Sequence, residues 1–238
     1  LATTIVLYPV IIALNRDLLQ LSVDLSHANI GMLNALGSAV AKRDSDTNSH
    51  NYRVALYTVR LAEAVGLGET EIKSLIKGAF LHDVGKIGIS DTILLKPGKL
   101  SADEFTVMKT HPRHGADIIA KYAWLGDALA IVKHHHEKFD GSGYDGGLKG
   151  EDIPLHARIF SVVDVFDALT SRRPYRETLT FDDAMKIMEK GKGTHFDPAL
   201  FDAFSRTARK HYEEIGLAGN AKIEEMLYGI LEKYFGYA

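Results

Sequence analysis

Ala79-Phe80-Leu81-His82-Asp83-Val84-Gly85-Lys86-Ile87-Gly88-Ile89 is the stretch from which the rest of the chain is read. Three apolar residues close a helix, an imidazole and a carboxylate follow side by side, and Gly85 supplies a break. Adjacent side chains do not share a helix face. His82 and Asp83 can therefore reach one point only where the helix ends or bends. Alone, such a pair is equally consistent with two surface residues. The other histidines extend the pattern. His50 lies on an earlier amphipathic helix, and His111 opens a later one beside Pro112. His134, His135 and His136 run consecutively at another helix end, followed by Glu137. That run abuts apolar Ile131 and Val132 and a Gly-rich loop, which suits an inward-facing site. Asp164 interrupts the apolar run Ile159 to Phe166. A carboxylate buried there costs several kcal/mol unless paired or metal-bound. A salt bridge to an arginine and a metal ion both meet that need.

Composition narrows the chemistry. At roughly 150 residues per domain, 238 residues allow one large domain or two small ones. With 46% hydrophobic and 25% charged residues, neither a disordered chain nor a collagen-like rod fits. Lys plus Arg total 28 against 31 for Asp plus Glu, which argues against a broad nucleic-acid surface and leaves a local basic patch open. Cysteine is absent, so disulfides, zinc fingers and thiol nucleophiles are excluded. Histidine occurs 11 times, and any metal ligands must be imidazole and carboxylate. Such N and O donors suit Mn, Fe, Ni or Zn over a soft metal such as Cu(I). The candidates exceed what one tetrahedral ion needs, which implies two ions and leaves donors for a third. Two ions roughly 3.5–4 Å apart can clamp a phosphoryl group and lower the pKa of a shared water. Metal-assisted phosphoester hydrolysis is the matching reaction class.

The periodicity is helical throughout. Helices are expected near residues 48–65, 69–82, 101–109, 112–122, 125–135, 154–171, 180–191, 198–213 and 220–235. Ser101 with Glu104 forms a capping box, Pro154 suits a first helical turn, and Gly66 and Gly68 end the helix before them. No stretch alternates with period two for long enough to make a sheet. Val84–Lys99 and Lys138–Asp152 are Gly-rich and aperiodic, and long loops of this kind are usually functional. Ahead of them, Ile11, Leu14, Leu18, Leu21, Leu25, Ala28, Met32, Ala35 and Ala39 step by threes and fours, an a/d seam of four heptads. Two readings stand: a helix packed on its own domain, or a parallel pair joining two protomers. Residues Leu1 to Leu14 carry no charge but are too few to span a bilayer, which takes about 20. They read either as the end of a transmembrane helix from a longer chain, or as an apolar helix buried in a dimer.

These motifs, taken in order, resemble the HD-GYP domain, a subfamily of the HD phosphohydrolases. The match runs through His82-Asp83-Val84-Gly85-Lys86-Ile87-Gly88-Ile89, Leu95-Lys96-Pro97-Gly98-Lys99-Leu100 and Met108-Lys109-Thr110-His111-Pro112. It continues in His135-His136-Glu137, Asp140-Gly141-Ser142-Gly143-Tyr144, Ile153-Pro154-Leu155, Asp164 to Ser171, Arg173-Pro174-Tyr175-Arg176 and Phe196-Asp197-Pro198. The resemblance covers residues 40–206 and implies an all-α, HD-type helical bundle, and the heptad seam places a long coiled-coil-like helix before it. The organisation expected is a signalling and dimerisation helix over 1–42, the catalytic domain over 43–206 and a helical extension over 207–238.

By resemblance, His50, His82, Asp83, His111, His135, His136 and Asp164 ligate two divalent ions, Fe or Mn. Some members hold a third ion through an acidic residue four positions before the first His. Here that position is Asp46, which could equally cap its helix. Lys86 and Asp83 correspond to catalytic positions, with the Lys86 ammonium on a non-bridging phosphate oxygen. Tyr144, Arg173 and Arg176 correspond to substrate-binding positions, and the two guanidinium forks suit phosphate or guanine. Capping of a helix end is the plainer role for those arginines. One departure stands out: the third letter of GYP is Asp145, which frees a backbone φ, adds an N–H and brings a negative charge near an anionic substrate. The activity implied is hydrolysis of cyclic di-GMP to linear pGpG and onward to GMP, in bacterial second-messenger signalling. Rival expectations are a cyclic-dinucleotide sensor or protein-interaction module without turnover, and a hydrolase of cyclic GMP-AMP or a nucleotide monoester. A homodimer through the N-terminal helix is expected, with no DNA or RNA partner. The expected location is cytoplasmic, or the cytoplasmic face of the inner membrane where a longer parent carries an upstream anchor.

Overall fold

The computed structural model describes residues 2–43, 48–144, 146–171 and 178–236. In chain order, α1 (Ala2–Arg43), α2 (Asn48–Ala64) and α3 (Glu69–Leu81) are followed by a 3₁₀ turn, Val84–Gly88. Next come α4 (Asp91–Leu94), α5 (Ala102–Met108) and α6 (His111–Ile119). A second 3₁₀ turn, Ala123–Ala128, runs into α7 (Leu129–His134), and a third, Gly150–Asp152, precedes α8 (Leu155–Thr170). The chain finishes with α9 (Phe181–Lys190), α10 (Pro198–His211), a π turn at Tyr212–Gly216 and α11 (Asn220–Phe235). The described residues form no strand, only an isolated bridge between Lys192 and Phe196. The expected all-α bundle is what the chain forms.

Local chemistry sets the helix ends. At α5 the Ser101 hydroxyl accepts from the Glu104 amide (3.2 Å) and the Glu104 carboxylate accepts from the Ser101 amide (2.7 Å), a reciprocal capping box. Asp197 caps α10, accepting from the Ala199 amide at 2.9 Å, with Pro198 in the first turn. Three expectations shift. Pro154 stands just before α8, because its extended ψ of 137° is not helical. Gly68 does not end α2; it caps α3, its amide donating to Glu71 at 3.1 Å. The aperiodic stretch from Val84 holds the 3₁₀ turn and α4, elements too short for a 3.6-residue period to register.

The core gathers where α2, α3 and α8 meet. Val54, Leu75, Ile76, Leu81, Phe160 and Phe166 are all at most 1% exposed. Phe166 contacts Tyr57 and Phe204 edge to face, at centroid separations of 5.4 and 5.0 Å. Helix α11 packs on α2 and α3 through Ile223, Leu227, Ile230 and Leu231. Helix α1 meets the body through a different face from its heptad seam. Ile30, Leu33, Gly37 and Ala41 are buried, whereas all nine seam residues from Ile11 to Ala39 are exposed. The seam therefore does not pack on its own domain. No helix among the described residues is long and apolar enough to cross a membrane.

Candidate metal centre

Five elements deliver the candidate ligands to one place. His50 comes from the first turn of α2, and His82 and Asp83 from the end of α3. His111 opens α6, His135 and His136 follow α7, and Asp164 lies midway along α8. Helix α3 stops at Leu81, and the bend that follows turns both His82 and Asp83 inward. Gly85 makes that bend possible. A Cβ there would overlap the His111 carbonyl oxygen and the Gly115 amide nitrogen, so only glycine lets the turn lie against α6.

The donor atoms fall into two groups, each within 4.8 Å of one another: Asp83, His111, His135 and His136 in one, His50, His82 and Asp164 in the other. Asp83 joins them. Its Oδ1 lies 3.2 Å from His111 Nε2 and 3.9 Å from His135 Nε2, while its Oδ2 lies 3.2 Å from His82 Nε2. His50 Nε2 is 3.5 Å from Asp164 Oδ1.

The ring orientations fit a metal. His82 Nδ1 is 2.9 Å from the Ala79 carbonyl, His111 Nδ1 2.9 Å from that of Met108, and His135 Nδ1 3.1 Å from that of Ile131. His50 Nδ1 is 2.7 Å from Asp167 Oδ2. In all four the outer nitrogen faces an acceptor, the arrangement that leaves Nε2 as the atom presented to the centre. Metal-binding histidines are held in this way. The donor set of four such imidazoles, His136 and two carboxylates fits two borderline divalent ions with no sulfur.

Electrostatics set His82 apart from His135 and His136. Burial disfavours charge on His82, but the Asp83 and Asp164 carboxylates outweigh it and raise its pKa to about 9. Burial and the neighbouring His111 lower His136 to about 4, and burial with His136 and His82 lowers His135 well below the usual value. His135 and His136 are thereby held neutral, the form that binds a cation, whereas His82 would release a proton when an ion binds. Burial opposes charge on Asp83 too, yet Lys86 and His82 hold its carboxyl well below the ordinary range. Lys86 Nζ lies 2.7 Å from Asp83 Oδ2.

The centre opens into a cavity of about 310 Å³, lined by His50, His82, Asp83, Lys86, His135, His136 and Asp164. Tyr144 packs its ring over His136 at 4.5 Å, with Phe105 edge-on at 5.8 Å. The loop carrying it is folded back tightly. A Cβ on Gly143 would come within 2.5 Å of Glu137 Cα, and the Gly146 amide donates to Glu137 Oε1 at 2.6 Å. Asp46, Asp145, Arg173 and Arg176 lie outside the described residues.

Three neighbours went unread in the sequence. Asp167 is 1% exposed and accepts from Arg53 Nε at 2.6 Å as well as from His50. Its signal was a second acid one turn beyond Asp164 in the same apolar helix. Arg53, one turn after His50, is its counterpart. His195, left without a ligand role, lines the cavity, its ring stacked on Phe196 at 4.4 Å.

The HD-domain family model matches residues 34–200. The chain belongs to the HD-domain family. Within that family its motifs are those of HD-GYP proteins. The cyclic di-GMP phosphodiesterase response regulator RpfG of Xanthomonas campestris is 44% identical over 187 residues, 77% of this chain and 49% of that protein. A 3'3'-cGAMP-specific phosphodiesterase 2 of Vibrio cholerae is 41% identical over 193 residues, 80% of this chain and 37% of that protein. Among solved structures, a cyclic GMP-AMP specific phosphodiesterase of Vibrio cholerae superposes with a TM-score of 0.62 at 17% identity, over 87% of this chain and 53% of that one. This HD-domain chain thus spans about half the length of curated relatives that it matches.

Proposed function

We propose that this HD-domain chain is a metal-dependent phosphodiesterase that hydrolyses cyclic di-GMP to linear pGpG and, in a second round, to GMP. The observation that carries the reading is the pair of donor groups joined at Asp83, with Lys86 beside them in one open cavity. His50, His82 and Asp164 would hold one ion, His111, His135 and His136 the other, and Asp83 both. Fe or Mn fits these donors, and Asp46 is the candidate for a third ion. Bound ions would supply Lewis acidity at the phosphate and lower the pKa of water. Lys86 neutralises a non-bridging phosphate oxygen as charge develops. Tyr144, Arg173 and Arg176 bind the dinucleotide, the arginines through bidentate bonds to phosphate or guanine. Asp145, where HD-GYP proteins carry proline, adds a negative charge to that loop and bears on the choice of substrate.

The relatives' names include both cyclic di-GMP and 3'3'-cGAMP phosphodiesterases, so both substrates belong in the test. Protein loaded with Mn or Fe(II), with metal content measured, is given each dinucleotide and the products are separated by chromatography. Linear pGpG from cyclic di-GMP is expected. Faster turnover of 3'3'-cGAMP would move the assignment to that substrate. Tight binding without hydrolysis by metal-loaded protein would replace the enzyme with a sensor.

The exposed seam on α1 supports a second part of the reading: the N-terminal helix pairs in parallel with that of another copy, downstream of a sensor or membrane anchor in a longer cytoplasmic-facing protein. Leu14, Leu18, Leu21 and Leu25 are each at least 54% exposed. Leaving such a stripe in water is costly, at about 25 cal/mol per Å² of apolar surface. Light scattering at micromolar concentration is expected to give a two-chain mass. A one-chain mass would refute the pairing.

A further inference from the structure

Arg43 is the last residue of α1, and its guanidinium reaches across to the turn that carries Lys86. Nη1 donates to the carbonyls of Lys86 and Ile87, each at 2.8 Å, and Nη2 donates to that of Ile89 at 2.6 Å. Nε and Nη2 also donate to Asp91 Oδ1, at 3.0 and 2.8 Å. One planar fork here serves three carbonyls at and just past the end of the turn, of which that of Lys86 also accepts from the Ile89 amide. A lysine, with a single ammonium on a flexible stem, could not satisfy these directions together.

On its other side the turn lies against α6 at Gly85, and it is closed by its own i→i+3 bonds. The Lys86 amide donates to the Asp83 carbonyl at 2.9 Å, and the Ile89 amide donates to the Lys86 carbonyl at 3.0 Å. The backbone of Lys86 is thus held between a candidate metal ligand and the end of α1. Helix α1 is itself seated closely on α3. A Cβ on Gly37 would stand 2.9 Å from the Phe80 carbonyl oxygen, and the Asn51 amide donates to the Gly37 carbonyl at 3.4 Å. The far part of α1 carries the exposed seam. One continuous helix therefore links the seam to the Lys86 turn.

We infer that Arg43 is a positioning residue for Lys86, fixing the Val84–Gly88 turn to the end of α1 so that the seat of α1 sets where the Lys86 ammonium stands. The inference rests on the assignment of Lys86 to the substrate phosphate. Arg43 itself does not line the metal cavity. The effect belongs in kcat, because a displaced Lys86 would lose contact made to charge developing in the transition state.

The test uses the full chain loaded with Mn, as wild type, Arg43→Ala, Arg43→Lys, Lys86→Ala and the double variant Arg43→Ala/Lys86→Ala. Metal content, amide hydrogen exchange and steady-state hydrolysis of cyclic di-GMP are measured. Arg43→Ala is expected to keep its metal, to speed exchange across residues 86–91 but not in α2 or α3, and to lose about tenfold in rate with little change in KM. Arg43→Lys should recover only part of that rate. In the Lys86→Ala background the Arg43→Ala change should cost nothing further, since coupled residues are not additive. Unchanged exchange over 86–91 would overturn the clamp whatever the activity. An equal rate loss with and without Lys86 would show that Arg43 acts by another route. Full activity of Lys86→Ala would instead overturn the premise, while the exchange result still reports whether Arg43 holds the turn.

Discussion

Asp167→Asn removes one charge and almost no volume from beneath the candidate centre. The native carboxylate is 1% exposed and accepts three bonds: from His50 Nδ1 at 2.7 Å, Arg53 Nε at 2.6 Å and Arg53 Nη2 at 3.0 Å. Burial opposes its charge, yet His50 and Arg53 hold its carboxyl well below the ordinary range. An amide in its place keeps one acceptor oxygen, which at the Oδ2 position could still receive from His50 Nδ1 and Arg53 Nη2, but its NH2 would then face the Arg53 Nε donor and the charge of the pair would be gone. Breaking a buried ion pair costs about 3–5 kcal/mol. Arg53 keeps its bond to the Ser171 hydroxyl at 2.8 Å, which places the loss near the lower end, about 3 kcal/mol. A second loss is separate. The neutral amide is a weaker acceptor for the His50 Nδ1 proton than the carboxylate, and weakening such an outer partner lowers metal affinity by about 10–100-fold. Urea denaturation of metal-free protein reads the first loss, and Mn titration against a competing chelator reads the second. A variant within 1 kcal/mol of wild type that also binds Mn with native affinity would refute this account of Asp167.

Gly85→Ala is expected to cost about 3 kcal/mol or more, read by thermal denaturation, because the new Cβ meets backbone atoms of His111 and Gly115 that cannot yield. Gly88→Ala, whose Cβ would meet only the His114 side chain at 3.2 Å, serves as the tolerated control. The metal-free protein should be most stable near pH 6.5, the ordinary histidine pKa. Below that, the unfolded chain takes up protons that folded His135 and His136 refuse, so stability falls with acid by up to about 1.4 kcal/mol per pH unit for each group. Above it, the proton that folded His82 holds up to about pH 9 is the one at stake, so stability falls again toward that pH. Urea midpoints across pH 5–9 that rise or fall steadily would count against this assignment of charge.

Much of the fold was legible because its signals are local. Apolar spacing, the Ser101–Glu104 box and the glycines place nearly every helix within a few residues, and periodicity and caps act over one or two turns. The short turn at Val84–Gly88 was hidden for the same reason, being too brief to show a period. Ligand types were legible too: with no cysteine, a metal could only be held by the imidazoles and carboxylates that break apolar runs. The seam on α1 could be seen, but not which way it faces, since a stripe of leucines reads alike whether it meets its own domain or water. Only packing decided that, by burying Ile30, Leu33, Gly37 and Ala41 instead. Asp167 beneath His50 and Arg43 against the Lys86 turn belong to the same class. Their partners lie 117 and 43 residues away in the chain. Residue order by itself carries the periods, caps and chemical types; which distant groups share a hydrogen bond is settled when helices pack and buried polar atoms must find partners.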